Sequence, residues 1–119
     1  MKLTEVIDYL GCKVLNETPD FNDINIESVG TADLMSDVLV FGKPGMLLIT
    51  GLNSPQCVRT ASVVGASAVL IVRKLSVQEA TIQLAEALEV PLIYLNSSTY
   101  KTCGQLYQLG LQDSRGDSL

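Results

Sequence analysis

The chain has 119 residues, 47% of them apolar, carries 8 basic against 13 acidic side chains for a formal charge of −5, and contains no histidine and no tryptophan. Without histidine no Ser-His-Asp or Cys-His machinery can form within one chain, no imidazole can hold zinc or haem, and no side chain has an unperturbed pKa near 7. With a sequence pI near 4.5 and scattered basic residues, nucleic acid is excluded as an expected partner, because phosphate neutralisation needs clustered Lys and Arg.

In chain order, Thr4-Glu5 ahead of Val6, Ile7 and Leu10 predicts a helix that Gly11 stops. Lys13 to Leu15 reads as a short strand, and Asn16 to Asn25, with Pro19 and several Asp and Asn, as a surface connection. Ile24, Ile26 and Ser28 alternate with polar neighbours, as a strand with one covered face would. From Thr31 to Phe41 the pattern is ambiguous; Asp33 or Ser36 could cap a short helix through Val38 and Leu39, followed by a tight turn at Gly42-Lys43-Pro44-Gly45.

Three aliphatic runs follow, Met46 to Thr50, Ala66 to Val72 and Pro91 to Leu95. Helical patterns at Pro55 to Val64, Ser76 to Leu88 and Thr99 to Leu109 come after them in turn. Ser54-Pro55 puts a cap before a proline at the first helical position, Ser76 and Glu79 have capping-box spacing, and Gly110 sits past the last helix. Short unbroken strands alternating with amphipathic helices signal parallel strands covered on both faces. The expected fold is therefore α/β: a single compact, three-layer-like domain over residues 1–111 with a mostly parallel sheet of about five strands and covering helices. Residues 112–119, apolar only at the terminal leucine, read as a disordered tail.

For this mass the folded chain should expose about 6,300 Å² and bury roughly 66% of its unfolded surface, enough for an unassisted core. A mean hydropathy of +0.30 with only 5% aromatics leaves aliphatic surface for self-association, and a homodimer is expected. Cys12, Cys57 and Cys103 are odd in number, about 45 residues apart and without a CxxC pair, so they read as buried thiols rather than a disulfide framework or metal site. The acidic amino end is unlike a signal peptide, and no apolar run approaches the roughly 18 residues that span a bilayer. A cytoplasmic protein without membrane contact is expected.

Charge is lopsided, −6 over residues 1–37 and +2 over 38–111, which places any anionic ligand in the middle of the chain. There, Met46 to Gln56 joins a buried strand to a helix through small polar residues, at the strand end where open α/β sheets bind ligands. Thr50, Gly51, Asn53 and Ser54 could present hydroxyls, an amide and free backbone N–H groups to a phosphate or carboxylate, with Arg59 one turn on adding charge. A capped turn without ligand is the plainer alternative. Ser36 and Asp37 could bond a ribose or amide, or simply cap their helix. The stripe Tyr100, Cys103, Gly104, Tyr107 reads as core or subunit contact, and Arg73-Lys74 as a solvated loop that could meet an anion at the same edge. Arg115-Gly116-Asp117 matches an adhesion tripeptide by letters only. Gly42 to Gly45 precedes a strand, whereas a phosphate loop follows one.

The run from Gly30 to Leu111, about two thirds of the chain, resembles the DRTGG domain. Leu34-Met35-Ser36-Asp37-Val38 looks like that family's Leu-Leu-Ser-Asp-Val step, and Pro44 to Thr50 like its glycine-then-strand segment ending in Ile-Thr. Ala61 to Val72 is similar to its Ala-rich helix and aliphatic strand, and Glu79, Leu84-Ala85, Val90-Pro91-Leu92 and Ser97 to Tyr100 fall in comparable places. The namesake Asp-Arg-x-x-x-Gly-Gly is absent; Asn25 to Thr31 stands there. The Pro-Gly-x-Leu step is also similar to the N-terminal domain of Mur ligases, which grips a uridine nucleotide. The resemblance implies a module without catalytic chemistry, whose relatives pair as dimers and are fused to CBS nucleotide-sensing domains, phosphotransacetylases or ATP-binding domains; here it is expected to stand alone.

The expected function is a non-enzymatic regulatory or ligand-binding module for a small anionic or nucleotide ligand, with no cofactor and no metal. The alternative is an interaction subunit that dimerises and binds a partner enzyme without a small ligand. An enzyme working through Ser, Asp or Cys alone is the third reading, disfavoured because no base is paired with a nucleophile.

Overall fold

The structure, a computed structural model, describes residues 1–116. Along the chain lie α1 (Leu3–Leu10), β1 (Lys13–Asn16), a 3-10 turn (Phe21–Asp23), β2 (Ser28–Thr31), α2 (Met35–Phe41), β3 (Met46–Thr50), α3 (Pro55–Val64), β4 (Ala68–Val72), α4 (Glu79–Leu88), β5 (Leu92–Leu95), α5 (Thr99–Gln108) and β6 (Gln112–Asp113). The sheet order is β1-β5-β4-β3-β2-β6. All neighbours are parallel except β1, which runs antiparallel to β5 at the edge.

Every residue of β3 and β4 is buried, because both faces of the sheet are covered. Successive side chains alternate between two layers. Met46, Leu48, Val69 and Ile71 face α2, α3 and α4, where Met35, Val38, Val58, Ala61 and Ala85 meet them. Leu47, Ile49, Leu70 and Val72 face α1 and α5, against Leu3, Val6 and Leu106. Each fully buried Leu or Ile contributes about 1.5–3 kcal/mol. Connections from β2 through β5 step in one direction, so right-handed crossovers put α2, α3 and α4 on the same face. The last helix, α5, carries the chain across the opposite face to β6, beside β2. The exposed area, 6,233 Å², matches the value expected from mass.

Several boundaries depart from the sequence expectation. Among the described residues the sheet has six strands where about five are expected, because Gln112–Asp113 pairs with β2 and the Ser114 N–H donates to the Val29 carbonyl at 2.8 Å. These residues fall in the expected disordered tail. A two-residue polar strand has no periodicity to reveal it; edge pairing of the backbone orders it. Residues 117–119, including Asp117 of the adhesion-like tripeptide, lie outside the described residues. The fourth helix begins at Glu79, not Ser76, and no side chain caps it. The Asn16 to Asn25 connection is not all surface: Phe21 is buried, and Asn16 Nδ2 donates to the Val90 carbonyl at 2.8 Å in the interior. Ile26 is buried as expected, yet regular pairing starts only at Ser28.

Candidate functional site

The loops leaving β2 at Thr31, β3 at Thr50, β4 at Val72 and β5 at Leu95 meet at one edge of the sheet, the edge where open α/β folds place ligands. Two charged side chains from different loops close over the end of β3. The Arg73 guanidinium grips Asp33 with both nitrogens, Nη2 to Oδ2 at 2.5 Å and Nη1 to Oδ1 at 3.2 Å. Arg73 Nη1 also reaches Thr99 Oγ1 at 3.5 Å. The Gly51 N–H donates to Asp33 Oδ1 at 2.7 Å, and the Thr50 hydroxyl donates to the same oxygen at 3.5 Å while accepting the Leu52 N–H at 3.0 Å.

Local backbone geometry makes this arrangement. Arg73 has φ 53°, a left-handed conformation that is uncommon outside glycine. Its N–H donates to the Ser97 carbonyl at 2.9 Å, and the Tyr94 hydroxyl donates to the Lys74 carbonyl, so β5 and its loop hold the turn in place. At Gly51 a Cβ would sit 2.1 Å from Arg73 Nη1. Only glycine lets the guanidinium lie this close over the strand end.

The pair is half exposed, 42% for Arg73 and 51% for Asp33. Its stabilisation of the fold is accordingly small, about 0–1 kcal/mol. The bond from Arg73 holds the Asp33 carboxyl below the ordinary carboxylate value, burial partly opposes it, the Gly51 N–H adds to the lowering, and Asp33 raises Arg73 in return.

The sequence-predicted residues divide into groups. Thr50 and Gly51 lie in the cluster. Asn53 acts as a staple: Nδ2 donates to the Ser76 carbonyl at 2.9 Å, Oδ1 accepts from Gln78 Nε2 at 3.3 Å, and its carbonyl accepts the buried Thr81 hydroxyl at 2.6 Å. Ser54 occupies the cap position of α3 without a side-chain capping bond, and Pro55 removes one amide there. Arg59, Ser36 and Asp37 are exposed on α3 and α2. Among the described residues, no hydrogen bond ties Ser36, Asp37, Ser54 or Arg59 to the cluster.

The sequence offers Asp33 or Ser36 as the cap of α2. Instead Leu34 holds the cap position without a side-chain bond, and Asp33 turns to Arg73. Arg73, read as a solvated loop residue, is the cation of the edge. Its signal was present, a basic pair directly after the most apolar strand. Its partner, 40 residues away in sequence, was not visible.

Of the two roles expected for the tyrosine stripe, core or subunit contact, core is ruled out: Tyr100 is 90% and Tyr107 78% exposed, with Cys103 half-buried between them. An apolar cavity of about 290 Å³ lies between β2, α5 and the segment after Gly110, lined by Val29, Phe41, Leu106, Tyr107 and Leu111. Burial pushes the Cys12 and Cys57 thiols up to about 11 and raises Cys103 as well. None has the lowered pKa of a reactive nucleophile. Among the described residues no group of His, Cys, Asp or Glu is arranged to hold a metal, and no helix is long and apolar enough to cross a membrane.

Residues 5–109 match the DRTGG domain family model. A crystal structure of the CBS and DRTGG domains of the regulatory region of a Clostridium perfringens pyrophosphatase, complexed with its activator diadenosine tetraphosphate, has a similar fold. It superposes with a TM-score of 0.68 at 15% identity, over 99% of this chain and 52% of that one, so this chain spans about half its length. No curated protein sequence matches the chain.

Proposed function

The chain belongs to the DRTGG domain family, and on that premise we propose that it is a non-enzymatic regulatory module that binds a small anionic ligand, with nucleotides as the candidate class, at the carboxyl edge of β3 and β4. One observation carries the reading. A carboxylate already sits at the end of β3, held by the Gly51 N–H and by both arms of Arg73, so the groups that would receive anionic oxygens are assembled. A guanidinium fork suits carboxylate and phosphate equally. The similarly folded pyrophosphatase region was solved with a nucleotide activator, which supports testing nucleotides first.

The test is thermal unfolding of the full chain with adenine and uridine nucleotides, beside Arg73→Ala. Ligand at 100 times its dissociation constant stabilises by about 2.7 kcal/mol, a shift of several degrees that Arg73→Ala removes. Absence of any shift at millimolar nucleotide, phosphate or carboxylate sinks the reading.

A second reading rests on a different surface. Val40 on α2 and Val63 on α3 are 87% and 72% exposed, and Leu39 is 56% exposed, on two helices that pack together. This apolar surface supports a homodimer or a partner enzyme. Light scattering at micromolar concentration separates the two readings: a monomer that retrieves no partner leaves the ligand reading alone.

A further inference from the structure

We propose that Asp33 is a built-in competitor for the ligand's anionic group, a latch that ligand must displace before it can occupy Gly51 and Arg73. The inference rests on the site proposed above. Asp33 takes both ends of the guanidinium and the Gly51 N–H at once, so an incoming oxygen meets the Gly51 amide and the paired face of the fork already bonded. An anion that takes the Gly51 N–H and the bidentate face of Arg73 does so only by exchange with Asp33. Its apparent affinity is therefore reduced by the fraction of time Asp33 holds the seat.

The displaced carboxylate has somewhere to go. Asp33 directly precedes Leu34, the cap residue of α2, whose first turn has no side-chain capping bond. The Asp37 N–H donates to the Leu34 carbonyl at 3.0 Å, closing that first turn through the backbone. Aspartate is among the preferred capping residues, bonding amides two or three positions on. From Asp33 those are the amides of Met35 and Ser36. Asp33 thus has two alternative partners of comparable strength, an exposed ion pair and a helix cap, and such a balance suits a switch. Ligand entry would pass Asp33 from Arg73 to the start of α2, the helix that carries the exposed Leu39 and Val40. Occupancy of the edge is thereby linked to the apolar surface of α2 through one side chain.

The experiment compares the full-length chain with Asp33→Asn, which keeps shape but removes charge, titrating ATP and inorganic phosphate by calorimetry. The latch predicts that Asp33→Asn binds both probes at least tenfold more tightly than wild type, and that adding Arg73→Ala abolishes the gain. Equal affinity within twofold overturns the latch while leaving the site intact. Failure of both proteins to bind overturns the site and the latch together. A measurement free of any substitution guards against a misfolded variant: amide NMR of the wild-type chain with ATP. Shifts at Gly51 accompanied by shifts at Met35 and Ser36 support the exchange; shifts at Gly51 with Met35 and Ser36 unmoved overturn the hand-over to α2.

Discussion

The inner strands and the loops at their carboxyl ends are stabilised by different physics. Leu48, Ile49, Leu70 and Ile71 are fully buried, held by dispersion and water exclusion, which are strong and indifferent to direction. Just past the ends of β2 and β4, Asp33 and Arg73 are about half exposed and held by directional bonds that add little stability. The interior fixes where the edge is; the edge decides what it can bind. Stability and recognition should therefore respond to different substitutions.

The largest effect belongs to the interior. Ile71→Ala removes a fully buried side chain of β4 and should cost about 2–5 kcal/mol, read as a lower denaturant midpoint. A loss below 1 kcal/mol would break the contrast. Next is a pH effect on the same layer. Cys57 is fully buried with its pKa raised from 9.0 to about 11, so its contribution is fully present below pH 9 and is lost as pH rises through 11, on the order of 2 kcal/mol. Urea unfolding from pH 8 to 11 should show that alkaline decline, and Cys57→Ala should make it shallower, leaving the part due to Cys12 and Cys103, while lowering the plateau.

At the boundary between the two regions, Thr81→Val deletes the hydroxyl that holds the Asn53 carbonyl and should cost about 1 kcal/mol. Denaturant titration measures it. The smallest stability change is expected at the edge itself. In Gly51→Ala the new Cβ meets the far end of a flexible arginine, which can swing aside, so less than about 1 kcal/mol should be lost. Ligand-induced thermal stabilisation should nevertheless disappear. If Gly51→Ala instead unfolds the chain, the edge is structural and the contrast fails.

How legible each region was follows from the same physics. The aliphatic runs from Met46 and from Ala66, and the helix at Pro55–Val64, could be read directly because burial on both faces leaves a continuous local pattern. Gln112–Asp113 escaped because its order comes from the β2 edge, not from its own side chains. Strand-end chemistry singles out Thr50 and Gly51, and the structure places both against Asp33. Asp33 reads in the sequence as one of two candidate caps beside Ser36, and its ion pair with Arg73 is missed, since a capping aspartate and an ion-paired one look alike until a distant arginine is placed beside it.

Composition and periodicity by themselves determined the alternation of strands and helices, the covered parallel sheet and the absence of imidazole chemistry, because these depend on neighbours within a few residues. Only the tertiary structure decided that β1 closes the sheet antiparallel, that the tail adds a sixth strand, and that Arg73 in its left-handed turn meets Asp33 over Gly51. Each of these joins segments far apart in sequence, and bonds of that range leave no local trace.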